Sequence, residues 1–124
     1  MRRKNQFVER GEILRGLFRG FILLLVCLVF LALITSLFYD FVSPYLNFLL
    51  ILINILILIY IGFYTARRAA QNGWLHGALA GLVFMGIILL IGAFNLSLSY
   101  GTIFVLLLLG IVVGGIGGIL GVNL

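Results

Sequence analysis

The chain has 124 residues, 65% hydrophobic and 9% charged, with a formal net charge of +5 and a mean hydropathy of +1.36. A soluble domain is about 45–50% apolar and about 25% charged, and a fold this small leaves too much surface in water to hide such a composition; lipid is therefore the solvent for most of the chain. The basic residues Arg2, Arg3, Lys4, Arg10, Arg15, Arg19, Arg67 and Arg68 flank apolar runs instead of building a basic surface, which sets nucleic acid aside as a partner.

Residues 1–19 read as a cytoplasmic basic N-terminal segment, and residues 20–124 as a transmembrane domain. Ile13, Leu14, Leu17 and Phe18 of the first share a helical face with Phe21, so the segment is expected to be a helical lead-in lying at the inner leaflet. Apolar runs follow at about 21–38, 45–63, 75–94 and 103–122. Each of these is long enough as a helix to span a hydrocarbon core of about 30 Å. They are apolar on every face, without the alternation of a barrel strand. The first run exceeds the core of a signal peptide and no small-x-small cleavage site follows it, so it reads as a retained helix.

The connections are short, with Pro44 suited to the first turn of the second helix. The expected fold is therefore all-α, a polytopic four-helix up-down bundle. The positive-inside rule orients it with both termini in the cytoplasm, because that places every Lys and Arg inside and none in the outer loops. Tyr39, Tyr45 and Tyr100 would then anchor the outer interface, and Tyr64 and Trp74 the inner one. Arg15, Arg19, Arg67, Arg68 and His76 would set topology or meet lipid headgroups, with anionic lipid of the inner leaflet as the expected partner.

Glycine carries the clearest pattern. Gly73, Gly77 and Gly81 repeat at four-residue spacing in the third helix, and Gly110, Gly114 and Gly118 do so in the fourth. Such a glycine zipper lets backbones approach where lipid gives no hydrophobic drive to associate. Gly117 and Gly121 are read onto the second stripe, and Ala80 onto the first. Both stripes fall in the cytoplasmic half, so they can pack within one subunit; the alternative is that one meets a homo-oligomer copy or another membrane protein. Residues 16–20 (GLFRG) and 73–77 (GWLHG) also form a faint repeat.

Polar residues within the runs are few. Asn54 is expected to make an interhelical hydrogen bond, or else to line a substrate path. Thr35 and Ser36 can bond back to their own helix. His76 reads as an interfacial anchor, with pH sensing or headgroup binding as sharper readings. Cys27 is a small packed hydrophobe. No carboxylates are paired for acid–base work and no ligand set has metal spacing, so neither enzyme activity nor a cofactor is expected. The absence of Asp, Glu, Lys or Arg from the four runs disfavours proton-coupled antiport.

The residues Ala66-Arg67-Arg68-Ala69, the stretch GWLHGALAGL at 73–82 and the glycine-rich end closing on Gly121-Val122-Asn123-Leu124 resemble the YrzE-like small four-helix membrane proteins of Gram-positive bacteria. That resemblance implies a bacterial plasma membrane and a link to envelope or secretion machinery; it implies no catalytic residues. The expected function is a non-enzymatic structural or interaction protein, and the alternative is a small oligomeric transporter or channel.

Overall fold

The computed structural model describes residues 10–69, 72–95 and 97–124. Helix α1 (Arg10–Leu37) is followed by a short α2 (Tyr39–Val42), a 3-10 turn (Ser43–Tyr45), α3 (Leu46–Ala69), α4 (Gly73–Ala93) and α5 (Tyr100–Asn123), with no strand among the described residues. Four stretches are long and apolar enough to cross a membrane, with α2, the turn and α3 forming one of them. The chain is an all-α, multi-pass membrane protein. Positions 1–9, which carry Arg2, Arg3 and Lys4 of the basic segment, lie outside the described residues.

Helix α1 runs unbroken through position 20. Its 28 residues make a rod of about 42 Å, longer than a hydrocarbon core of about 30 Å. The helical lead-in expected at the inner leaflet is continuous with this rod. Leu17 is buried, and Ile13 and Phe21 pack against the same core. Leu14 and Phe18 face outward. The expected apolar face is thus divided, with Ile13, Leu17 and Phe21 on the protein core and Leu14 and Phe18 left exposed. Pro44 falls in the 3-10 turn ahead of α3, where its missing N–H costs nothing. Arg67 and Arg68 belong to the last turn of α3 and so complement its dipole. Asn72 adopts the left-handed conformation, φ 51°, which asparagine tolerates better than most residues, and its carbonyl accepts from the N–H groups of Leu75 and His76 at 3.0 and 3.2 Å to open α4.

Glycine contacts set the helix directions. A Cβ on Gly77 would strike the carbonyl oxygen of Gly114 and come within 2.7 Å of the Gly118 Cα; one on Gly81 would strike the Gly110 oxygen, and one on Gly73 would lie 2.9 Å from the Gly118 oxygen. Helices α4 and α5 are therefore antiparallel and touch backbone to backbone along both triplets. On α5 a second glycine row meets α3: a Cβ on Gly117 would strike the Ile59 carbonyl, and one on Gly121 the Phe63 carbonyl, so α3 and α5 run parallel. Gly117 and Gly121 thus leave the stripe on which the sequence placed them. Four-residue steps advance about 40° around a helix, but the three-residue step from Gly114 to Gly117 turns back about 60°.

A Cβ on Gly62 of α3 would also strike the Gly114 oxygen. Gly62, Gly77 and Gly114 therefore converge, and α3, α4 and α5 form a three-helix unit. Helix α1 packs mainly against α3, antiparallel to it, through Gly16 beside Thr65 and Gly20 beside Ile61. The core, Leu17, Ile57, Leu58, Ile61, Ala80, Phe84 and Met85, lies between α1, α3 and α4, where the Phe21 and Phe84 rings meet at 4.9 Å.

Gly114→Ala is expected to destabilise the protein by about 1–3 kcal/mol, the usual cost of overpacking. Gly92→Ala, where an added Cβ meets nothing within 4 Å, should stay within about 0.5 kcal/mol of wild type. Thermal unfolding in one detergent compares the two, and a Gly114→Ala protein melting with wild type would contradict backbone contact at this crossing.

Candidate functional site

The contacts that align the helices gather the described charged residues other than Asp40 at one end of the bundle. On α3 the four-residue spacing puts Tyr60, Tyr64 and Arg68 along one face. The Tyr60 and Tyr64 rings stack at 6.3 Å, and the Arg68 guanidinium carbon lies 5.7 Å from the Tyr64 ring centroid. Arg67 sits in the same way 5.7 Å from Phe63. From α1, Arg19 reaches the Tyr64 ring at 4.5 Å. It arrives there because Gly16 and Gly20, on either side of it in sequence, bring the α1 backbone close to Thr65 and Ile61. Each cation–π contact at an exposed position is worth about 0.5–1 kcal/mol. Arg15 points away, 66% exposed, and pairs with Glu12 at 3.4 Å.

His76, expected among the headgroups beside Arg67 and Arg68, is 2% exposed. It shares a helical face with Ala80 and Phe84, both fully enclosed, and this face of α4 points into the bundle. Its Nδ1 lies 3.1 Å from the Asn72 carbonyl oxygen, a hydrogen bond in the tautomer that carries its proton there. Burial takes the ring away from lipid headgroups.

Asn54 does not reach across to a neighbouring helix through its amide nitrogen, which donates to the Leu50 carbonyl of α3 itself at 2.9 Å. Thr35 similarly donates to Leu31 at 2.8 Å and Thr65 to Ile61 at 2.7 Å. Cys27 is a half-buried free thiol. Far from the arginines, an open and mainly apolar cleft lies between α1 and α3, lined among others by Leu28, Leu31, Thr35, Leu46 and Leu50. Among the described residues no His, Cys, Asp or Glu cluster could hold a metal ion.

The structure thus brings Arg19, Arg67 and Arg68 together around two aromatic rings. It sets Gly73, Gly77 and Gly81 against Gly110, Gly114 and Gly118, encloses His76 within the bundle, and places Asn54 in the middle of α3, away from the arginines. Two participants escaped sequence reasoning. Gly62 had a signal, the small-residue pair Gly62 and Ala66 at four-residue spacing. Tyr64 was read as a membrane anchor, and its role under two arginines depends on the approach of α1, which no local pattern encodes.

The chain belongs to the family described as "Protein of unknown function (DUF3792)", whose model matches residues 11–121. No curated protein and no solved structure matches it.

Because the amide of Asn54 donates within its own helix, Asn54→Leu is expected to shift stability by no more than about 0.6 kcal/mol, the average of a membrane hydrogen bond. Thermal unfolding in detergent measures this, and a loss of several kcal/mol would establish an interhelical role for the Asn54 side chain.

Proposed function

We propose that this chain is a non-enzymatic interaction protein of the bacterial plasma membrane, in which a glycine-packed core of α3, α4 and α5 holds α1 out toward lipid and toward a membrane partner. Within its family it stands with the YrzE-like proteins of Gram-positive bacteria, and its proposed setting is the envelope or secretion machinery. Both termini lie in the cytoplasm, and the arginine end faces the anionic inner leaflet.

The observation that carries this reading is the uneven burial of the spans. Within its most apolar stretch α1 has 6% of its residues buried, against 39% for α4. A helix that contributes so little to the core is retained for what its outer surface contacts. The packing of α1 agrees, since its two glycine contacts both lie near one end and both meet α3 side chains. The arginines support the orientation, because a cytoplasmic excess of Lys and Arg is the general rule and each adds about 1 kcal/mol of attraction to an anionic leaflet.

Two measurements test this. In a Cys27→Ser background, Asn123→Cys should react with a membrane-impermeant thiol reagent only after the membrane is opened, whereas Ser99→Cys should react in intact cells; the reverse pattern inverts the orientation. A photo-crosslinking residue at Val29 of α1, 60% exposed, should yield a discrete protein adduct in native membranes at native expression. The same probe at Phe104 of α5, 65% exposed, should not. Lipid adducts alone from both positions would remove the interaction role of α1.

A further inference from the structure

Arg19 and Arg68 lie at 4.5 and 5.7 Å from the centroid of one ring, Tyr64. Their guanidinium carbons are thus no farther apart than about 10 Å, a separation at which two positive charges repel, in partly screened surroundings, by an amount comparable to what each gains from the ring. Arg67, the next residue on α3, adds a third positive charge at the same end.

Among the described residues, no ion pair is made by Arg19, Arg67 or Arg68. The one ion pair described joins Arg15 to one oxygen of Glu12, whose other oxygen is buried without a hydrogen-bond partner. Asp40 lies in α2, at the opposite end of the bundle. The arginines also flank the apolar spans. Arg19 immediately precedes the charge-free stretch that begins at Gly20, and Arg68 follows the last apolar turn of α3. The planar fork of arginine matches phosphate oxygens two at a time, and contact with the Tyr64 ring keeps both guanidinium groups beside it.

We propose that Arg19, Tyr64 and Arg68 form a binding site for the phosphate of one anionic phospholipid, held between α1 and α3. This deepens the reading of the arginine end as a surface toward an anionic leaflet, and it rests on that reading. The site is composite: one arginine comes from the loosely packed α1 and the other from the glycine-locked core. A bound phosphate therefore ties α1 to the core at this end, and lipid composition adjusts how firmly α1 is held.

Native mass spectrometry of the full-length protein, released from nanodiscs of phosphatidylglycerol or phosphatidylcholine, tests the site. Wild type is expected to retain one phosphatidylglycerol and to shed phosphatidylcholine. The double variant Arg19→Gln/Arg68→Gln should lose that retention by about tenfold or more. Tyr64→Leu should weaken it, Tyr64→Phe should preserve it, and Arg15→Gln should leave it unchanged. If the double variant fails to fold, the single variants carry the test, each expected to lose about threefold or more.

Equal retention of both lipids, or full retention by the arginine variants, overturns the proposal. Protection of the wild-type protein against heat by millimolar inorganic phosphate, equal to that by the lipid, would also overturn it in favour of a free-oxyanion site. Thiol labelling at Asn123→Cys and Ser99→Cys reports the orientation independently. Failed lipid retention with the expected labelling therefore removes this site while leaving the orientation standing.

Discussion

Helices already in lipid gain nothing by hiding apolar surface from each other, so α3, α4 and α5 must be held together by the quality of their contact. The contact here is backbone against backbone. At Gly114 the α5 carbonyl stands where a Cβ of either Gly62 or Gly77 would have to go. Removing those side chains lets Cα–H groups approach carbonyl oxygens, at about 0.5–1 kcal/mol each, and brings whole peptide units within dispersion range. Two glycine rows about 60° apart on α5 let it serve α4 and α3 at once. The bulky residues of α5 are left on its other faces, where Phe104, Val105 and Val112 are exposed.

The same constraint explains why α1 differs from the rest. Its glycines at 16 and 20 sit within one turn of each other, and what a Cβ there would meet is the Thr65 hydroxyl and the Ile61 side chain, not backbone. Close approach is thus confined to the arginine end. Farther along, α1 presents Leu25, Val26, Val29 and Phe30 outward, and a cleft opens between it and α3. Arg19 lies within the tight region and is delivered to Tyr64 by it. Position on the ring is therefore a consequence of helix packing, not of attraction between arginine and tyrosine, which at about 0.5–1 kcal/mol is too weak to draw two helices together.

Much of this was legible in the sequence, for identifiable reasons. Composition and run length report the solvent, so the four spans could be read from residue types. Four-residue glycine spacing reports a helical face, so both triplets could be read too. Depth and neighbourhood were less legible. His76 looks interfacial on the chain because it is three residues past Gly73, yet it turns inward because α4 presents that face to α1 and α3. Gly117 and Gly121 look continuous with their stripe until the angular difference between three- and four-residue steps is followed around the helix. The basic lead-in reads as one apolar face on the chain, and only the packed bundle divides it into a Leu17 side against protein and a Leu14 and Phe18 side left exposed.

The polar groups close the argument about what holds the bundle. The hydrogen bonds described for Thr35, Asn54, Thr65 and the Nδ1 of His76 all end on the carbonyl oxygen four residues earlier in the chain. A helix inserted alone in the membrane can already make such bonds, so they add little when it meets its neighbours. They remove the penalty of carrying a polar atom through lipid without choosing a partner for it. For Thr35, Asn54 and Thr65 these bonds choose no partner helix, and close approach is set at the positions where a side chain is absent. Of the four spans, only α1 lacks glycine contact with another backbone. It is accordingly the helix whose association is weakest and most open to adjustment by what binds at its charged end.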